Sequence, residues 1–226
     1  MATITTTAES MTQRFTSRRR VLALVGVAFA FGFPVIPIGR FFDEFASTRN
    51  LVAYELIWWA AVAAVLVYVR FVEREPLRSI GFHRPGWKDI MLGIACGIAM
   101  LAGLAGIMYV IFPALHLSEN SAINQVMATP LWWRWISVSR AAVGEEVLFR
   151  GYAIERLQKL TGSVRIAGFV SWAIFTLAHL GFWGWGHLLV AGFAGGLLTL
   201  LYLWRRNLWA NMLAHFIVDG AAFLAV

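Results

Sequence analysis

This chain has little charge, and less acid than base. Only 14% of its 226 residues are charged, and 19 Lys and Arg outnumber 12 Asp and Glu. A soluble domain of this length could not hide a 60% hydrophobic content and a mean hydropathy of +0.70, so that class is excluded. Cysteine is almost absent. The one residue, Cys96, excludes an intrachain disulfide and leaves the redox compartment open. There is no His-Glu-x-x-His helix and no Gly-x-Ser-x-Gly elbow. Ser139 and Ser171 have no obvious base beside them, which disfavours a serine nucleophile. The net charge of +7 does not imply nucleic acid, because the basic residues gather in a few loops.

What the chain does have is apolar runs of about 20 residues, the length that crosses a bilayer. They predict an all-α polytopic transmembrane helix bundle of seven spans. Residues 1–20, Thr-rich and then basic, read as a disordered cytoplasmic tail before a transmembrane domain over 21–226. Arg18, Arg19 and Arg20 could open a signal peptide, but the spans that follow favour an uncleaved first helix. The spans are placed at about 21–39, 51–69, 90–112, 131–160, 164–180, 188–204 and 208–226, and an eighth, re-entrant segment stays open. Gly93 with Gly97 and Gly192 with Gly196 are spaced for close helix contact. Alternate loops are basic: Arg14 to Arg20, Arg70 to Lys88, Arg156 to Arg165, then Arg205 and Arg206. The loops between hold only Arg40 and Arg49, which predicts a cytoplasmic N-terminus. Trp58, Trp59, Trp132, Trp133, Trp183 and Trp185 are expected at the outer boundary.

Gly144-Glu145-Glu146-Val147-Leu148-Phe149-Arg150 sits inside the fourth run. Charge at membrane depth is costly and marks function. Residues four apart share a helix face, so Glu146 and Arg150 pair in a structural role, while Glu145 points elsewhere as the working carboxylate. Glu145 lies 17 residues before Gly162 and His179 lies 17 after it, so a hairpin turning at Gly162 brings them level. Phe175 packs one turn before His179. Asn211, His215 and Asp219 follow at steps of four on one face of the last run, His215 at a comparable depth. A carboxylate with a neutral imidazole deprotonates water, and a second imidazole or an amide donates to the oxyanion. Two histidines and one or two carboxylates equally form a Zn²⁺ set.

Three motifs in order resemble the CPBP intramembrane protease family: Glu145-Glu146-x-x-x-Arg150, Phe175-x-x-x-His179 and His215-x-x-x-Asp219. That family includes CAAX prenyl endopeptidases of the Ras-converting type and bacteriocin-processing and immunity proteins. The resemblance covers about residues 130–222. It implies cleavage in or beside the membrane on the cytoplasmic side, with Glu145 and His179 activating water. In the prenyl-processing members the last motif supplies His and Asn to the oxyanion. Here Asp219 replaces the Asn, so it either orients His215, is protonated, or joins a metal. The family carries both metalloprotease and metal-free assignments. A metal here would take Glu145, His179, His215 and Asp219, and the metal-free form is preferred.

The expected partners are membrane lipid and a membrane-attached, prenylated or apolar peptide, in a prokaryotic plasma membrane. A non-catalytic immunity or scaffold protein is the alternative, and a proton-coupled transporter is a third reading without an evident inverted repeat. Arg140 either supports the glutamates or snorkels outward. Asn211 is a candidate site lining. His187 is expected at an outer interface, Glu55 near the outer surface, and Glu119 in a solvated loop. His83 and His116 are given no role.

Overall fold

The computed structural model describes residues 17–36, 38, 45, 47–117 and 121–224. Among them are eight helices and no strand. The helices are α1 (Ser17–Val35), α2 (Thr48–Val72), α3 (Trp87–Ala114), the short α4 (Ser121–Met127), α5 (residues 131–161), α6 (Val164–Trp183), α7 (His187–Arg205) and α8 (Leu208–Phe223). The seven long ones correspond to the seven predicted spans. Of these, α2, α3, α6 and α7 are long and apolar enough to cross a membrane, and α8 is apolar but shorter. The protein is an all-α polytopic membrane bundle. Ser17 to Arg20, assigned from sequence to the tail, form the first turn of α1. The rest of the tail, with Arg14, and the loop residues Arg40 and Glu119 lie outside the described residues.

Helix α5 is the central post. Its first half is α-helical over Leu131–Glu145, its middle is π-helical over Glu146–Ile154, and its last turns return to α over Glu155–Thr161. Every residue of the middle segment is buried, because α1, α2, α6 and α8 close on it from all sides. A helix buried all round carries no amphipathic stripe. Val147, Leu148, Phe149, Tyr152 and Ile154 accordingly sit at the heart of the larger apolar core. A π-helix bonds i to i+5 and disturbs the regular carbonyl pattern. The Ser171 hydroxyl, fully buried on α6, donates to the Phe149 carbonyl at 2.7 Å.

The α5–α6 hairpin closes where the sequence predicts a turn. Gly162 takes φ +73°, a left-handed conformation that glycine adopts without steric cost, and Ser163 caps α6 through the Ile166 amide at 3.3 Å. Helix α8 packs chiefly on α3 and α5, and α7 on α6. Gly93 sits where a Cβ would stand 2.7 Å from the Ala210 carbonyl, so α3 and α8 touch through backbone. Gly192 and Gly196 make only ordinary contacts, and the tight position on α7 is Gly195 instead. Trp58 and Trp133 belong to the buried interior rather than to an outer aromatic belt.

Candidate active site

The two adjacent glutamates end in different surroundings. Glu146 opens the π segment and is completely buried. Its Oε1 accepts from Arg150 Nη1 at 2.9 Å and from His215 Nδ1 at 2.9 Å, and its Oε2 accepts from Asn211 Nδ2 at 3.1 Å. Arg150 also donates to the Gly195 carbonyl at 3.0 Å and lies 4.0 Å over the Phe175 ring. A Cβ on Gly195 would stand 2.6 Å from that ring, which is why glycine is needed there. Asn211 is locked between Glu146 and the Leu198 carbonyl at 2.7 Å, and it does not line the cavity. Glu146, Arg150, Phe175 and Asn211 are thus one buried cluster behind His215, in which Arg150 Nε and Asn211 Oδ1 are left without a partner.

Glu145 faces a cavity of about 1450 Å³. Its Oε2 is buried and accepts no hydrogen bond. His179 Nε2 and His215 Nε2 each stand 3.9 Å from that oxygen. His179 lies where α6 breaks, between Val164–Ala178 and Leu180–Trp183. Its Nδ1 meets the Phe175 carbonyl at 2.8 Å, and a carbonyl only accepts, so Nδ1 carries the proton. In its neutral form the ring turns a lone pair at Nε2 toward Glu145. Two acceptors 3.9 Å apart do not bond to each other, and one water fits between them. Asp219 Oδ2 lies 3.3 Å from His215 Nε2. His215 thus has a carboxylate at each nitrogen, Glu146 behind and Asp219 in front. The four residues named from sequence as catalytic, drawn from three helices, meet in one pocket.

Residues 126–221 match a family model described as type II CAAX prenyl endopeptidase Rce1-like. Over that stretch the chain is similar to this family. The stretch spans the site from α4 through α8 and contains all four of these residues. No curated protein and no solved structure matches the chain.

A zinc ion in the Rce1-like site meets a geometric difficulty. Ligand atoms around tetrahedral zinc lie about 3.4 Å apart when the bonds are about 2.1 Å. His215 Nε2 and Asp219 Oδ2, at 3.3 Å, match, whereas Glu145 Oε2 stands 3.9 Å from the Nε2 of each imidazole. Among the described residues no three His, Cys, Asp or Glu form a metal-holding group. The residues as placed do not fit tetrahedral zinc.

Glu55, His187 and the cavity wall take positions that spacing along the chain does not give. Glu55 sits in the first half of α2. It is buried and pairs with Arg140 at 3.0 Å, and Arg140 lies 4.8 Å over the Trp58 ring, so neither charge snorkels. No local signal could reveal this pair, whose members are 85 residues apart. His187 opens α7. Its ring lies between Trp183 at 4.8 Å and His179 at 5.8 Å, both near parallel, on the cavity wall. Finally, the cavity is lined by the second halves of α3 and α8, the first halves of α5 and α7, and the far end of α6. These are the halves away from the basic loops.

Proposed function

We propose that the Rce1-like domain is an intramembrane endopeptidase that cuts membrane-attached or apolar peptides with a water activated by Glu145 and His179. One observation carries this reading: a buried, unpartnered carboxylate oxygen of Glu145 lies 3.9 Å from an imidazole lone pair, a gap the size of one water. A water there hydrogen-bonds to Glu145 Oε2 and to His179 Nε2, and it loses one proton to Glu145 as its oxygen attacks a carbonyl. Attack forms a C–O bond, and the proton held by Glu145 passes to the leaving amine as the C–N bond breaks. His215, with carboxylates at both nitrogens, is a donor at Nε2 toward the developing oxyanion. Asp219 orients and charges that donor. Glu146, Arg150, Phe175 and Asn211 position the set.

The mechanism needs no metal, and the mismatch with tetrahedral zinc supports that form. The wall of Leu101, Leu104, Met108 and Phe112 on α3 suits an apolar substrate segment. With the basic loops cytoplasmic, as in a prokaryotic plasma membrane, the cavity opens into the opposite half of the bilayer. The test is cleavage of membrane-anchored peptides by the reconstituted protein, read by mass spectrometry. The wild-type protein is expected to yield two fragments, Glu145→Gln none, and a chelator no change. An uncut peptide with the wild-type protein, or equal cutting by Glu145→Gln, overturns the proposal in favour of a non-catalytic membrane protein. Chelator inactivation reversed by Zn²⁺ overturns the metal-free form.

A further inference from the structure

Buried guanidinium groups in this molecule come with their own anions. Arg140 has Glu55 at 3.0 Å, Arg150 has Glu146 at 2.9 Å, and Arg156 has Glu73 at 2.6 Å. Arg134 is the exception among the described residues. It is only 7% exposed, yet its partners are the Phe223 carbonyl at 2.8 Å and the Met127 sulfur at 3.4 Å, and its Nε has none. The Phe223 carbonyl explains why a cation suits the end of α8. It supplies no negative charge, and a buried cation without a counter-ion is costly.

Arg134 lines the same cavity as Glu145. Arg134, Val138, Ala141 and Glu145 all face it, at steps of four, three and four along α5, so they form one stripe. The 11 residues from Arg134 to Glu145 span about 16 Å. An extended peptide covers that length in about five residues, and fewer once the arginine side chain reaches inward.

We propose that Arg134 is the anion subsite of the cavity. It binds a carboxylate of the substrate, C-terminal or on an acidic side chain, about three to five residues from the bond that is cut. The peptide then lies along the α5 stripe with its carbonyl at Glu145. The assignment rests on the peptidase reading and deepens it by naming the second contact. A lipid phosphate is the weaker occupant, because Arg134 faces the cavity that holds Glu145 rather than the lipid-facing surface.

Binding separates the two claims, because it is read without turnover. Full-length protein carrying Glu145→Gln is reconstituted in nanodiscs, and binding of labelled apolar peptides is measured. One set ends in a free carboxylate or its amide. A second set is amidated and carries one Glu or Gln at successive positions. We expect the matched acid to bind about tenfold or more tightly than its amide or Gln counterpart, the scale of a charge-assisted hydrogen bond. The preference vanishes with Arg134→Gln and persists in part with Arg134→Lys. The acid–amide comparison uses no Arg134 variant, so a misfolded Arg134→Gln protein does not spoil it. Equal binding of acids and amides overturns the subsite. So does an equal loss for both with Arg134→Gln, or a dependence on phosphatidylglycerol content in place of peptide charge. A protein that binds with this preference, while the wild-type chain cuts nothing, keeps the subsite and loses the peptidase.

Discussion

The half of the bundle nearest the basic loops and the half that holds the cavity treat polar groups in opposite ways. Near the loops every buried charge is answered. Arg156, Tyr152 and Ser79 enclose Glu73 and its guanidinium partner, with Arg156 Nη2 at 2.6 Å and the Tyr152 hydroxyl at 2.8 Å from Glu73. Asp89 accepts from Arg205, Asn207 and the Gly86 amide. Glu155 accepts from Arg206 and Tyr202, which anchors the left-handed Arg206 between α7 and α8. Around the cavity and in the cluster behind it, buried atoms lack partners: Glu55 Oε1, Trp58 Nε1, Trp133 Nε1, Arg134 Nε, Glu145 Oε2, Arg150 Nε and Asn211 Oδ1. An unanswered polar group costs stability and is kept where something else must bind. One half is scaffold, and the other is held ready.

The contrast can be broken at four places. Glu145→Gln should lower cleavage by about 10²–10⁴-fold, the usual worth of a general base, without lowering the unfolding temperature in detergent. A large loss of stability would make Glu145 part of the scaffold. Glu73→Gln is the converse: it strands buried Arg156 and should cost about 3–5 kcal/mol in denaturant titrations, with the rate per folded molecule unchanged. Ser171→Ala lies on the border. It leaves the Phe149 carbonyl without its donor and should cost about 1–3 kcal/mol. Asp219→Asn should change the rate least, within about tenfold, because the amide oxygen still accepts from His215 Nε2. A complete loss with Asn would make the negative charge itself essential.

Much of the cavity half was legible from spacing. Glu145 and His179 are equidistant from Gly162, and a straight hairpin brings them level; the 3.9 Å separation follows. The Glu146–Arg150 pair is a contact between residues four apart, which any helix makes. The rest depended on contacts that sequence does not encode locally. Glu55 meets Arg140 across 85 positions, and Arg134 meets Phe223 across 89. His187 joins His179 only because α6 ends at Trp183 and α7 starts beside it. Loop charge gives the direction of the chain through the bilayer but not the end at which the helices part. The side of the cavity mouth was therefore invisible.

The wide winding of Glu146–Ile154 also sets how the two ends of α5 are turned relative to each other. Removing one residue from that segment would let it tighten to ordinary pitch and rotate everything before it by about 100° about the axis. Arg156 would keep its anion, while Arg134 and Glu145 would swing off the cavity wall together. The proposed anion subsite and the proposed cleavage site thus hang on a single shared angle, and a one-codon deletion is expected to remove both together.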